Sequence, residues 1–137
     1  MTEAHTAPFG ALLLRVTLGV FFLVHGLIKI FVFTIPGTVH FFTSIGYSAP
    51  IAYLVLVVEL AGGLALILGW WTRWAALILF IEMLFVIAHH WPNGFIFNAK
   101  GGGWEYPAMW AIALLVQSLL GDGAYALSER MRARPAG

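Results

Sequence analysis

Ionisable side chains that can move protons lie inside stretches of this sequence that are otherwise apolar. These side chains are Arg15, His25, Lys29, Glu59, Glu82, His89 and His90. A charge at membrane depth costs a few kcal/mol even on the mildest insertion scales, so it usually faces a partner or a polar cavity. Carboxyl, imidazole and amino groups can also exchange protons with a bound molecule. We therefore predict that function resides in this cluster.

The apolar stretches are long enough to cross a bilayer, because a spanning helix needs about 20 mostly apolar residues. They cover residues 9–33, 51–71, 74–91 and 107–120, and the last can extend outward through Trp104. The 137 residues are 61% hydrophobic and 9% charged, whereas a soluble domain is about one-quarter charged. The sequence predicts an all-α, polytopic membrane protein: a four-transmembrane-helix bundle with two outer loops folded back as a cap.

Charge distribution predicts how the chain lies in the membrane. Residues 1–8 form a cytoplasmic tail in this reading, 9–127 the transmembrane domain and 128–137 a short basic cytoplasmic tail. Arg73 and three tail arginines share one side, so the positive-inside rule places both termini in the cytoplasm. The first ten residues have no Lys or Arg, and the first span holds Arg15 and Lys29, which argues against a cleaved signal peptide.

The two outer loops are unusually apolar. Pro36 and Gly37 end the first span, and residues 38–45 can form a short helix that buries Phe41 and Phe42 in the membrane interface. The second loop carries an Asn93-Gly94 turn and three glycines at 101–103, which allow a close backbone approach. We expect both loops to cover the outer mouth of the bundle, although aromatic anchoring at the headgroups explains them equally well.

Helix rise predicts that the cluster converges. From the outer helix ends, Lys29 lies at a depth of about 5 Å, His25 at about 10 Å, and Glu59 and Glu82 near 13 Å. His25 and Lys29 are four residues apart, and Glu82 and His89 are seven apart, so each pair shares a helix face. We expect Glu59 to face Lys29, and Glu82 to face His25 or His89.

Adjacent residues on a helix point about 100° apart, so His89 and His90 cannot both face the interior. We predict that His89 does. Glu105 from the second loop should line the mouth of the cavity, with the hydroxyl of Tyr106 at its rim.

Other roles for these residues remain open. Buried ion pairs can fix helix arrangement without any chemistry. A haem held by His25 and His89 is disfavoured because the two histidines differ in depth by about 7 Å, and a metal site with a carboxylate has suitable ligands but no motif. The sequence has no cysteine, which excludes disulfides and thiolate metal sites. Its net charge of +1 gives no nucleic-acid-binding patch.

Three ordered segments resemble the DoxX family of small membrane proteins. They are LLLRVTLGVFFLVHGLIKIF, ELAGGLALILGWWTRWAALIL and HHWPNGFIFNAKGGGWEYP. The resemblance implies a four-helix bundle in a bacterial cytoplasmic membrane. The family name comes from a subunit of a thiosulfate-oxidising, quinone-reducing complex, and members are commonly classed as oxidoreductases. Asp122 and Ala124 stand where the family often has proline and a basic residue.

The resemblance, together with the buried cluster, predicts a quinone- or lipid-like-ligand-binding subunit of a membrane redox system. No motif binds a cofactor, so the chain is at most a quinone-linked oxidoreductase subunit without its own redox centre. Expected partners are the lipid bilayer, redox proteins and further copies of the chain. The alternatives are a non-catalytic assembly partner for other enzymes and a small-solute or proton transporter.

Overall fold

The computed structural model describes residues 3–132 and consists of α-helices connected by short loops. The helices are α1 (Glu3–Phe31), α2 (Ile35–Ser44), α3 (Ala49–Leu68), α4 (Thr72–His90), α5 (Glu105–Leu120) and α6 (Leu127–Arg132), and one 3-10 turn (Trp91–Asn93) follows α4. No strand occurs within residues 3–132. The predicted all-α class is therefore confirmed.

Three helical stretches are long and apolar enough to cross a membrane: His5–Phe31, Ala49–Leu68 and Thr72–Asn93. Helix α5 has 16 residues, a length of about 24 Å against a hydrocarbon core of about 30 Å. Its amino-terminal cap is Trp104, where the sequence placed the outer limit of the fourth span. The long apolar helices indicate a multi-pass membrane protein, and a full fourth crossing by α5 stays a prediction.

The four long helices pack in a ring. Helix α1 packs closely on α3 and α4 on α5, while α3 and α4 are neighbours and α1 approaches α5 more loosely. One hydrophobic core joins all four, with Leu18 and Phe22 from α1, Leu66 from α3, Leu79 from α4 and Leu114 from α5. The ring gives the bundle two ends: a termini end, with the α3–α4 turn and α6, and a loop end, with α2 and the α4–α5 loop.

Glycines set the distance between α1 and α3. A Cβ atom added at Gly19 would lie 2.7 Å from the Gly63 carbonyl oxygen, and one added at Gly63 would lie 2.8 Å from the Gly19 carbonyl oxygen. Gly62 instead faces Leu79 of α4, at 3.0 Å. Small residues let helix backbones approach in this way, so Gly63 sets close packing of α3 on α1 and Gly62 sets close packing of α3 on α4.

A buried arginine fastens the termini end. Arg15 is 1% exposed, and its guanidinium donates hydrogen bonds to the carbonyl oxygens of Leu66, Ile67 and Ala124 at 3.0, 3.0 and 3.2 Å. The first two carbonyls belong to the last turn of α3, where a cation is favoured by the helix dipole. Arg15 therefore ties α1 to the end of α3 and to the segment before α6.

Helix α2 lies across the loop end. It begins at Ile35, three residues before the predicted short helix, because Pro36 occupies the first turn, where its missing N–H costs nothing. The Thr38 hydroxyl donates to the Lys29 carbonyl oxygen at 2.9 Å, and the Phe41 ring packs edge-on against His89 of α4. The first outer loop thus covers the bundle from α1 to α4.

The second outer loop closes on itself. Trp104 N–H donates to the Gly94 carbonyl oxygen at 3.1 Å, and Glu105 N–H to that of Phe95 at 3.0 Å. A Cβ atom at Gly103 would collide with the backbone of residues 95 and 96. The close approach predicted for the glycines at 101–103 therefore exists, and its partner is the same loop.

Both predicted tails are partly helical. Helix α1 already begins at Glu3 and continues through Pro8, so residues 3–8 extend the first helix beyond its apolar stretch. Helix α6 includes all of the described part of the predicted basic tail, residues 128–132. Ala124 N–H donates to the Pro8 carbonyl oxygen at 3.0 Å, which brings the two chain ends together. Residues 1–2 and 133–137 of the tails lie outside the described residues.

Candidate ligand and proton site

The centre of the site is an ion pair between α1 and α3 near the loop end. Lys29 Nζ lies 2.7 Å from Glu59 Oε1 and 2.8 Å from Oε2, so the ammonium group donates to both carboxylate oxygens. Glu59 is 5% exposed. Lys29 reaches it from the last turn of α1, and the carbonyl of that same lysine holds Thr38 of α2. The predicted pairing of Lys29 with Glu59 is confirmed.

A third ionisable group joins the pair from α4. The carboxyl group of Glu82 lies within hydrogen-bonding reach of Glu59. Its Oε2 atom is buried and, within the described part of the chain, has no hydrogen-bond partner. The sequence predicted His25 or His89 as the neighbour of Glu82, and this is wrong. Because α4 packs beside α3, Glu82 meets the acid of α3 instead of a histidine.

His25 lies one turn before Lys29 on α1 and turns toward α5. Its ring packs edge-on against Trp110 at a centroid distance of 5.1 Å, and it lies within electrostatic range of Lys29 and Glu59. The side chain is exposed at the bundle surface. It makes no hydrogen bond to any residue from 3 to 132. His25 is therefore an imidazole at membrane depth with both ring nitrogens available.

The histidines at the end of α4 take the opposite arrangement to the predicted one. His89 is exposed, and its ring packs against the rings of Phe41 and His90. His90 is half-buried, and its Nδ1 lies 3.0 Å from the Gly102 carbonyl oxygen. The prediction that His89 faces the interior is wrong, because the second outer loop folds over the face of α4 that carries His90.

The second outer loop does not deliver Glu105 or Tyr106 to the ion pair. Glu105 is the first residue of α5, where a carboxylate is favoured by the helix dipole. Tyr106 is exposed, and its ring packs on Phe97 at 5.1 Å. Neither side chain forms a hydrogen bond or ion pair with another described residue. The structure thus brings together Lys29, Glu59 and Glu82, with His25 beside them.

Imidazole and carboxylate side chains are also the groups that could hold a metal ion. No group of three or more His, Asp or Glu side chains within the described residues is arranged to hold a metal ion. His25 and His89, the two histidines considered above as haem ligands, pack against different aromatic residues. His25 packs against Trp110 and His89 against Phe41.

Comparison with known proteins places this arrangement in a family. The family model described as DoxX matches residues 10–91. The chain belongs to the DoxX family. The matched region includes His25, Lys29, Glu59 and Glu82, and it ends before the second outer loop and α5, whose first two residues are Glu105 and Tyr106.

Two relatives of this DoxX chain differ in how much of it they cover. A Bacillus subtilis (strain 168) protein named "Putative oxidoreductase CatD" is 45% identical over 64 residues, which is 47% of this chain and 46% of the relative. A protein of Haemophilus influenzae (strain ATCC 51907 / DSM 11121 / KW20 / Rd) named "Uncharacterized protein" is 30% identical over 125 residues, 90% of this chain and 91% of the relative. No solved structure matches the chain significantly.

Two residues next to the ion pair and His25 were not predicted from the sequence. Thr38 is 3% exposed and joins the covering helix α2 to Lys29, and no pattern distinguishes it from other loop threonines. Trp110 packs on Phe21, Phe22 and His25 with centroid distances of 5.1–5.5 Å. It is the one tryptophan of the six placed inside a predicted span instead of at a span end, and this position could have identified it.

Proposed function

We propose that this DoxX-family protein binds a quinone, or a lipid-like ligand with a similar polar ring, as a membrane subunit of a redox system. The observation that carries the proposal is His25. It is an exposed imidazole at membrane depth that no residue from 3 to 132 hydrogen-bonds, and it lies next to the buried Lys29–Glu59 pair. Behind that pair, the buried Oε2 atom of Glu82 has no hydrogen-bond partner in the same part of the chain. Intramembrane ionisable groups in such clusters mark functional sites more often than structural ones.

The position of His25 suits a ligand that arrives from the lipid phase. It lies six residues before the end of α1, about 9 Å along the helix axis. Trp110 provides a flat aromatic surface beside it, and α1 and α5 form the loosest seam of the ring. A ligand ring entering through this seam would pack on Trp110 and accept a hydrogen bond from His25, while an apolar tail stays in lipid.

The acids behind His25 would hold protons for the reaction. Two carboxyl groups within hydrogen-bonding reach can share one proton, and Lys29 then balances the remaining negative charge. Reduction of a quinone to a quinol takes two electrons and two protons. In this proposal the Glu59–Glu82 pair supplies one of the two protons, and His25 hydrogen-bonds the carbonyl oxygen that accepts it. Water at the loop end supplies the second proton and returns one to the acid pair. The electrons come from a partner protein, because the sequence carries no motif for a redox centre.

The most direct experiment is purification in mild detergent followed by mass spectrometry of co-purifying small molecules and proteins. A quinone in stoichiometric amount is expected from the unmodified protein. His25→Phe keeps an aromatic ring against Trp110 and removes both ring nitrogens, so it should retain the fold and lose the ligand. His89→Phe is the matched control, because His89 is exposed and lies outside the cluster.

The same experiment can contradict the proposal. If the ligand is absent, or if His25→Phe and His89→Phe retain equal amounts, His25 is not a ligand contact. A stoichiometric protein partner with no small molecule would instead support a membrane assembly role.

A further inference from the structure

Two adjoining grooves at the termini end belong to no part of the site described above. The first has a volume of about 370 Å³ and lies between the α3–α4 turn and α6, where Arg73 and Arg132 line it. The second has a volume of about 340 Å³ and runs between α3 and α4. Both grooves are bordered by the same three tryptophans, Trp70, Trp71 and Trp74. The two grooves therefore adjoin at these tryptophans, and together they make a depression with a charged end and an apolar end.

The apolar end is shaped by small residues. Val57, Ala61 and Ala65 follow one another at intervals of four along α3, so they lie on one face of that helix. Ala75 and Ile78 of α4 form the opposite wall. Helices α3 and α4 are both long and apolar enough to cross a membrane, which places this groove against lipid chains.

The charged end contains an unpaired cation. Arg132 is engaged by Asp122, with Nη2 2.6 Å from Oδ2, and by the Ser128 carbonyl oxygen. Arg73 is exposed and forms no ion pair or hydrogen bond through its side chain with any described residue. Its guanidinium extends alongside Gly121. Since Asp122 pairs with Arg132, no acidic side chain among residues 3–132 forms an ion pair with Arg73.

The border of the two grooves is held in a strained conformation. Trp71 has φ 51° and ψ 38°, a left-handed geometry that bulky residues rarely adopt. Its N–H donates to the Ser128 hydroxyl at 3.2 Å, and that hydroxyl donates to the Gly69 carbonyl oxygen at 3.0 Å. Backbone strain that the surrounding structure maintains often marks a binding site. Here it keeps the Trp71 ring at the junction of the grooves.

We propose that this depression binds one anionic phospholipid, with its phosphate on Arg73 and one acyl chain along the α3–α4 groove. Tryptophan favours the level of the lipid headgroups, and a basic side chain near the surface attracts anionic lipid. The apolar groove adjoins the groove that holds Arg73 at the shared tryptophans, so one molecule with a phosphate and an acyl chain can occupy both.

Fluorescence quenching by brominated lipids can test this site, since three of the six tryptophans border it. The full chain is reconstituted in vesicles containing brominated phosphatidylglycerol or brominated phosphatidylcholine. We expect phosphatidylglycerol to be preferred about fivefold, the ratio given by one basic side chain near the surface. Arg73→Gln should abolish the preference and Arg73→Lys should keep most of it. Arg130→Gln is the matched control, because Arg130 is exposed on α6 outside both grooves.

A second pair of variants tests the α3–α4 groove, which is proposed to hold the acyl chain of the lipid. Ala61→Phe fills the groove and should lower quenching by both lipids, whereas Leu64→Phe, on an exposed position of α3 outside the groove, should not. Equal quenching of the unmodified protein by the two lipids would overturn the proposal. The proposal would also be overturned if Arg73→Gln and Arg130→Gln lost the preference for phosphatidylglycerol to the same extent. Relief of quenching by inorganic phosphate at constant ionic strength would show a site for soluble anions instead.

Discussion

Lys29 on α1 donates hydrogen bonds to both carboxylate oxygens of Glu59 on α3, at 2.7 and 2.8 Å. The same two helices meet near their middles, where Gly19 and Gly63 bring the backbones together. At the termini end, Arg15 of α1 binds the last carbonyls of α3. The α1–α3 interface is thus fixed at three levels, so the ion pair at the site is held by a rigid helix pair.

Removing one partner of the ion pair should destabilise the protein more than removing both. Lys29→Met leaves the buried Glu59 carboxylate without its cation, which costs about 3–5 kcal/mol. The double variant Lys29→Met/Glu59→Leu should recover most of this loss, because no charge remains buried. The free energy of unfolding of the single and the double variant can be measured in detergent by circular dichroism. Lys100→Met, at an exposed position, is the control. Additive effects of the two substitutions would contradict a coupled pair.

A methyl group at the α1–α3 contact should not fit. Gly63→Ala places a Cβ atom 2.8–2.9 Å from backbone atoms of Gly19 and Leu23, so the helices must separate, at about 1–3 kcal/mol. Gly10→Ala on α1 has nothing within 4 Å and should be neutral or stabilising, because alanine is the better helix former. The two melting temperatures should therefore move apart, and a Gly63→Ala melting temperature equal to that of the unmodified protein would refute the close contact.

We expect Arg15 to stabilise the fold by holding the end of α3. Arg15→Met removes the side-chain donor from the half-buried carbonyl groups of Ile67 and Ala124, at about 1–3 kcal/mol for each unsatisfied group. The Leu66 carbonyl oxygen also loses Arg15 but still accepts from Gly69 N–H at 3.2 Å. Arg130→Met, on an exposed position, should change the free energy of unfolding by no more than about 0.5 kcal/mol. Thermal unfolding in detergent compares the two. If Arg15→Met unfolds like the control, Arg15 does not hold the end of α3.

The two neighbouring histidines of α4 should differ in their effect on the second outer loop. His90→Ala removes the hydrogen bond to the Gly102 carbonyl oxygen, worth about 1 kcal/mol, so amide exchange in residues 94–104 should rise about fivefold. Asn93 still donates to the same oxygen at 2.9 Å and limits the effect. His89→Ala should leave the exchange rates unchanged. Hydrogen–deuterium exchange mass spectrometry of both variants measures these rates. Equal exchange rates in His90→Ala and His89→Ala would contradict a role of His90 in holding the second outer loop.

Membrane topology can be tested directly because the chain has no cysteine. Single cysteines at Lys100, in the second outer loop, and at Arg130, on α6, are both exposed. A membrane-impermeant maleimide added to intact cells should label Lys100→Cys and spare Arg130→Cys, since the positive-inside rule predicts cytoplasmic termini. The reverse pattern would show that α6 faces the outside and the second outer loop faces the cytoplasm. Labelling of both cysteines would show that the second outer loop and α6 lie on the same side of the membrane.

Much of the fold follows from sequence alone, because apolar length and helix breakers are local properties. The runs around α1, α3 and α4 are apolar for nearly their whole length, and Pro36, Gly69 and Pro92 mark where helices end or turn. The Lys29–Glu59 pair was also predictable. A charge at membrane depth needs a partner, and depths counted from the helix ends place Lys29 and Glu59 in the same outer half of the membrane.

Tertiary structure alone decided the rest of the site. Glu82 meets Glu59 because α4 packs beside α3 in the ring, and the order of helices around a bundle is not encoded in depth or periodicity. His90 turns inward instead of His89 because the second outer loop folds onto its side of α4. Both outcomes depend on contacts between distant segments, which hydrophobic patterning along one helix does not specify.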